Sequence, residues 1–97
     1  MRLIRSEGYR ADIKSITRHI AKESPSMALA MRDGIEHQVE QLRIFPYSGR
    51  EGRAKGSREM VVSRTPFIVV YTVEDTITLV RVLHGAQQWP PHGEDSV

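Results

Sequence analysis

The apolar residues of this chain change their period once, and that change decides which folds are open to it. Up to Leu42 they recur every three or four residues, whereas beyond Arg58 they alternate or run together in short stretches. The first spacing lines one side of a helix, and the second belongs to strands. Helices followed by a block of strands exclude an alternating, doubly wound sheet and point to an α+β domain. With 97 residues there is room for one such domain, near the lower size limit for a self-sufficient core.

Within the helical half, Arg2-Leu3-Ile4-Arg5 is β-capable and short. Ser6 can then cap a helix, with Glu7 favoured in the first turn by the helix dipole. Tyr9, Ile13, Ile16 and Ile20 make its apolar stripe, and Arg10, Lys14, Arg18 and Lys22 make a second, cationic one. Ser24-Pro25 stops that helix and suits the start of another, because proline lacks the amide that a helix interior needs. The second helix carries Met27, Met31, Ile35, Val39 and Leu42 on one face. So tight a connection predicts an antiparallel hairpin. Gly34 costs helix stability, and a close crossing of the two helices would account for it.

Phe45-Pro46 ends the second helix and opens a polar loop through Gly52 and Gly56. Three strands are expected after it: Met60 to Val62, Phe67 to Val73 and Ile77 to His84, joined by turns at 63–66 and 74–75. This is an antiparallel meander. Phe67, Val69, Tyr71 and Val73 share one face of the middle strand, and Ile68, Val70 and Thr72 share the other. Both faces are apolar, so that strand belongs at the sheet centre. The expected order is β-α-α-β-β-β: an N-terminal strand and an antiparallel two-helix hairpin on one face of a mainly antiparallel sheet. The opposite face is left at least partly open as a docking surface. Residues 1–90 form the single domain, and residues 91–97 are expected to fray as a disordered tail.

No apolar run is long enough to span a bilayer, and no apolar stretch behind Met1 marks a secretory signal. There is no cysteine. A reducing compartment, the cytoplasm, is the simplest home. The histidines at 19, 37, 84 and 92 are scattered, and no phosphate loop or nucleophile elbow occurs, so no metal and no cofactor are expected. Net charge is +2, yet between Gly49 and Arg64 five cations (Arg50, Arg53, Lys55, Arg58, Arg64) face two carboxylates. Such a run either meets an acidic partner or is a solvated loop.

One constellation is more specific. Gly49-Arg50-Glu51-Gly52-Arg53 and Gly56-Ser57-Arg58-Glu59-Met60-Val61-Val62 precede Val69-Val70-Tyr71. Then comes Leu79-Val80-Arg81-Val82-Leu83-His84-Gly85, which leads to Ala86-Gln87-Gln88-Trp89-Pro90. From about Arg2 to Pro90 the chain resembles the RelE/ParE superfamily of bacterial toxins. The resemblance implies a toxin encoded beside a cognate antitoxin, whose extended C-terminal segment wraps and neutralises it in a hetero-oligomer. It also implies one of two activities. One branch of the superfamily cleaves messenger RNA on the ribosome, and the ParE-like branch poisons DNA gyrase. Laid on the nuclease pattern, the basic positions fall near Glu59, Val61, Ile68 and Gln87. None of these supplies the positive charge that a phosphoryl transition state requires. The ParE-like branch is therefore preferred, with a non-enzymatic gyrase inhibitor expected and a ribosome-dependent endoribonuclease as the alternative.

For target binding the candidates are Arg58, Arg81, His84, Gln87 and Trp89. Arg81, grouped by alternation with Ile77, Leu79 and Leu83, either pairs with a carboxylate such as Glu59 or marks the docking face. His84 either fixes the turn at Gly85 or serves as an acid or base. Trp89, the single tryptophan, either caps the core edge or grips a partner. For antitoxin binding the candidates are Arg10, Lys14 and Arg18 on the hairpin surface.

Overall fold

Both helices begin where a serine hydroxyl can replace a missing helical partner. Ser6 accepts from the Tyr9 amide and opens α1 (Glu7–Ala21); Ser24 accepts from the Met27 amide and opens α2 (Pro25–Glu40), with Pro25 in the first turn. A 3₁₀ turn, Gln41–Arg43, extends α2. In this computed structural model, which describes residues 1–85, 87, 89 and 90, five strands complete the chain. They are β1 (Leu3–Arg5), β2 (Arg50–Glu51), β3 (Arg58–Val61), β4 (Phe67–Val73) and β5 (Ile77–His84). None of the helices among the described residues is long and apolar enough to cross a membrane.

The strands form one sheet in the order β1-β5-β4-β3-β2. β1 runs parallel to β5, and every other pair is antiparallel. β4 is therefore central, as its two apolar faces predict. Met60 pairs with Val69 and Arg58 with Tyr71, while Glu59 pairs with Val70. The two-residue β2, which the sequence reads only as polar loop, covers one end of β3 through Arg50↔Glu59 and Glu51↔Arg58.

On the hairpin side, Tyr9, Ile35, Val39 and Leu42 are buried against Val69, Tyr71, Ile77, Leu79 and Val82. Each such side chain contributes roughly 1.5–3 kcal/mol on leaving water. Tyr9 also donates to Glu36, which pairs with Arg5, so the start of α1 lies beside the end of α2. Met27, placed on the apolar face by periodicity, is 64% exposed, while Ala28 beside it is buried. Gly34 does not mark a close helix crossing: a Cβ there would meet nothing within 4 Å.

The other side of the sheet is less open than expected. Ile68, Val70, Leu83 and Glu59 are all buried, yet the first three are absent from the hairpin-side core. Half-buried Trp89 lies within reach of Arg81, whose partner across the strands is Val70 and not Tyr71. A register slip explains that pairing. Tyr71 pairs with Leu79 but Val70 with Arg81, leaving Val80 unpaired as a bulge. Before the bulge Ile77 and Leu79 face the hairpin; after it Val82 does, opposite Val69. Arg81 thus leaves the face of Ile77 and Leu79, where simple alternation places it. The expected tail at 91–97 lies outside the described residues.

Candidate functional site

The bulge and the end of β5 build a cleft from three of the five residues expected to meet the target. Arg81, His84 and Gln87 line a space of about 190 Å³ with Asp12 and Ser15 of α1 and Phe67 of β4. The Gln87 amide donates to the His84 carbonyl at 2.8 Å, and the Gln87 side chain accepts from the His84 amide at 3.3 Å. Those two bonds close the turn after β5. The His84 ring meets Phe67 edge-on at 6.0 Å. Trp89 joins the group through Arg81, whose guanidinium carbon lies 5.8 Å from the indole centre.

Arg81 is paired with Asp12 rather than Glu59. Its Nε donates to Asp12 Oδ2 at 2.7 Å and its Nη2 to Oδ1 at 3.2 Å. These hydrogen bonds raise the Arg81 pKa further, outweighing partial burial. The sequence contains no spacing that links α1 to β5, so Asp12 was missed.

Arg58 stands apart from this cleft. It donates to the carbonyls of Gly49 (2.7 Å) and Tyr47 (3.2 Å) and lies 5.3 Å from the Tyr47 ring centre. Beside it, the Tyr71 hydroxyl accepts from Gly49 N at 2.9 Å and donates to Pro46 O at 2.8 Å. A Cβ at Gly49 would sit 2.5 Å from that hydroxyl, so only glycine fits. Arg58 and Tyr71 together clamp the loop between α2 and β2 to the sheet.

Glu59 is the least expected member of the non-hairpin side. Its carboxylate is fully buried and accepts from Arg53 N (2.9 Å), Arg53 Nε (3.1 Å) and Arg50 Nη2 (3.1 Å). Burial pushes its pKa up, but the Arg53 and Arg50 hydrogen bonds outweigh that and hold it below the ordinary 4.5. Of the other positions that the nuclease pattern would fill with cations, Ile68 is buried, and Val61 and Gln87 are exposed.

A second, larger feature lies on the helices. Arg10, Lys14 and Arg18 line one wall of a groove of about 510 Å³, with Arg32 and Glu36 of α2 opposite and Arg5 at the end. Tyr9, Ile13 and Ala21 give it an apolar floor. Five cations against one carboxylate, over apolar atoms, fit an acidic amphipathic segment. Arg5 is already tied to Glu36 and Glu40, and Arg32 lies 3.8 Å from Asp33, which leaves the net charge of the groove to Arg10, Lys14 and Arg18. Periodicity disclosed the α1 wall; Arg32 and Arg5 join it only through the tertiary fold.

The structure is thus a helical hairpin packed on a small mixed sheet, with a cationic groove on the helices and a cleft at the sheet's end. The chain belongs to the ParE toxin family: residues 3–89 match the family described as "ParE toxin of type II toxin-antitoxin system, parDE". It is thus a ParE-type toxin of a type II toxin–antitoxin system, within the RelE/ParE superfamily. A protein of Sinorhizobium fredii (strain NBRC 101917 / NGR234) described as "Putative toxin Y4kP" is 35% identical over 78 residues, covering 80% of this chain and 81% of that protein. A solved structure described as "Chromosomal ParDE TA system from P. aeruginosa" superposes with a TM-score of 0.79 at 26% identity. The superposition covers 87% of this chain and 95% of the other.

Proposed function

We propose that this toxin acts in the cytoplasm by binding DNA gyrase, without catalysing a reaction, and that a cognate antitoxin neutralises it in a hetero-oligomer. The observation that carries the choice of target is the state of the cations on the non-hairpin side. Cleaving RNA at its 2′-hydroxyl requires cations free to steady a phosphate and a group able to move a proton. Here Arg50 and Arg53 are turned onto the buried Glu59, and Arg81 onto Asp12. Glu59 is held as a carboxylate, an anion where the nuclease pattern wants a cation. The ion-paired arrangement supports docking rather than cutting.

The target-binding end is the β5 cleft with Arg81, His84, Gln87 and Trp89. Arg58, which stands apart from this cleft, holds the loop at Tyr47 and Gly49 and would meet the target only at a separate contact. The antitoxin's acidic segment occupies the helix groove beside Arg10, Lys14 and Arg18, where its apolar side chains meet Tyr9 and Ile13. Pulse labelling after induced expression tests the target. Thymidine incorporation should fall before methionine incorporation does. An immediate stop in methionine incorporation, with messenger RNA cut only when ribosomes are present, would establish the ribosome-dependent nuclease instead.

A further inference from the structure

We propose that Asp12 is the positioning residue of the target-binding end: it fixes Arg81, and through Arg81 it fixes Trp89. The inference rests on the reading that this end of the molecule meets the target. β1 accompanies β5 only as far as Leu79, where Arg5 is its partner and the Ser6 amide donates to the Leu79 carbonyl. Beyond that point the β5 edge has lost its neighbouring strand, and α1 takes over. The Ser6 hydroxyl donates to the Val80 carbonyl at 3.0 Å, and Asp12 Oδ2 accepts from the Val82 amide at 2.8 Å. Exposed edge amides need such partners. The same carboxylate grips the Arg81 guanidinium through two of its nitrogens. A two-pronged grip fixes the plane of the guanidinium as well as its position.

That plane matters because Arg81 is also the cation near the Trp89 ring. The indole Nε1 is buried without a hydrogen-bond partner among the described residues. Burying that group opposes the placement of Trp89, and the contact with Arg81 works against that cost. Gly8 brings α1 close enough for this: a Cβ on it would lie 3.1 Å from both Arg81 Cδ and the Val80 carbonyl. Asp12 itself is only 16% exposed. It acts through Arg81 and not by touching the target.

Trp89 is the single tryptophan, so fluorescence reports this position alone. In Asp12→Asn the shape is kept and the charge removed. Acrylamide quenching of Trp89 should rise, and the concentration giving half-inhibition of supercoiling should rise on the order of tenfold, the loss expected when an interface anchor is misplaced. Asp12→Glu restores the charge and should recover part of both signals, while exposed Asp33→Asn should change neither. If thermal melting shows that Asp12→Asn has lost its fold, Arg81→Lys provides the same comparison, since lysine lacks the planar fork. Wild-type quenching in a folded variant overturns the inference. So does an exposed Trp89 with undiminished inhibition. If the wild-type protein leaves supercoiling intact, the gyrase reading fails. Quenching and growth arrest on induction then test Asp12 independently.

Discussion

Replacing Glu59 by glutamine isolates the contribution of the buried carboxylate, because the side chain keeps its size and loses only its charge. Three hydrogen bonds end on that group, from Arg53 N, Arg53 Nε and Arg50 Nη2. A hydrogen bond to a charged group is worth roughly 1.5–3 kcal/mol, against about 1 for a neutral one. Glutamine can still accept from the Arg53 amide, and the two guanidiniums, 58% and 39% exposed, can turn to water. Their relief places the cost below the roughly 3–5 kcal/mol of breaking an enclosed pair. A loss of about 2 kcal/mol at pH 7 is expected, and in a domain of this size that lowers Tm by about 10 °C. The pH dependence carries a sign. The folded-state pKa lies below 4.5, so the stabilisation is complete above the unfolded value and is lost as pH falls through the folded one. Melting curves for wild type and Glu59→Gln should converge in acid and stand apart at neutral pH. A variant that melts with the wild type at pH 7, or a gap that persists undiminished in acid, refutes this account of Glu59.

Gly34→Ala should stabilise the protein by about 0.5–1 kcal/mol, since nothing blocks a methyl group there and alanine favours the helix; a lower Tm would count against the placement of α2. The double charge reversal Arg10→Glu with Lys14→Glu should weaken antitoxin binding by at least about tenfold and flatten its salt dependence. Calorimetry at two salt concentrations measures both, and unchanged affinity would move the antitoxin away from the groove.

Strong local signals carried over into the structure intact. Phe67 to Val73 is apolar on both faces, and it became the central strand with the expected bounds. Ser6 and Ser24 cap their helices because a serine ahead of a helical stripe has few better uses for its hydroxyl. What escaped depends on contacts distant in sequence. Arg50 and Glu51 form a strand only because β3 offers an edge to them, and two polar residues carry no alternation to read. The bulge at Val80 leaves no mark in an unbroken β-capable run, so Arg81 was grouped with the wrong neighbours.

The candidate site divided along the same line. Arg81, His84 and Gln87 were found together because they lie close in sequence at one strand end. Their organiser, Asp12, sits on a helix 69 residues away from Arg81, and a carboxylate on a helical surface looks like any other. Glu59, set between Arg58 and Met60, carries no mark of burial in the sequence. Only the fold of the 50–53 segment over it reveals that it is buried.

The most direct measurement is supercoiling of relaxed plasmid by purified DNA gyrase, titrated with this toxin and then with its antitoxin. The reading predicts dose-dependent loss of supercoiling that antitoxin reverses, with ribosome-bound messenger RNA left whole at the same concentrations. Undisturbed supercoiling beside cleaved messenger RNA would contradict it.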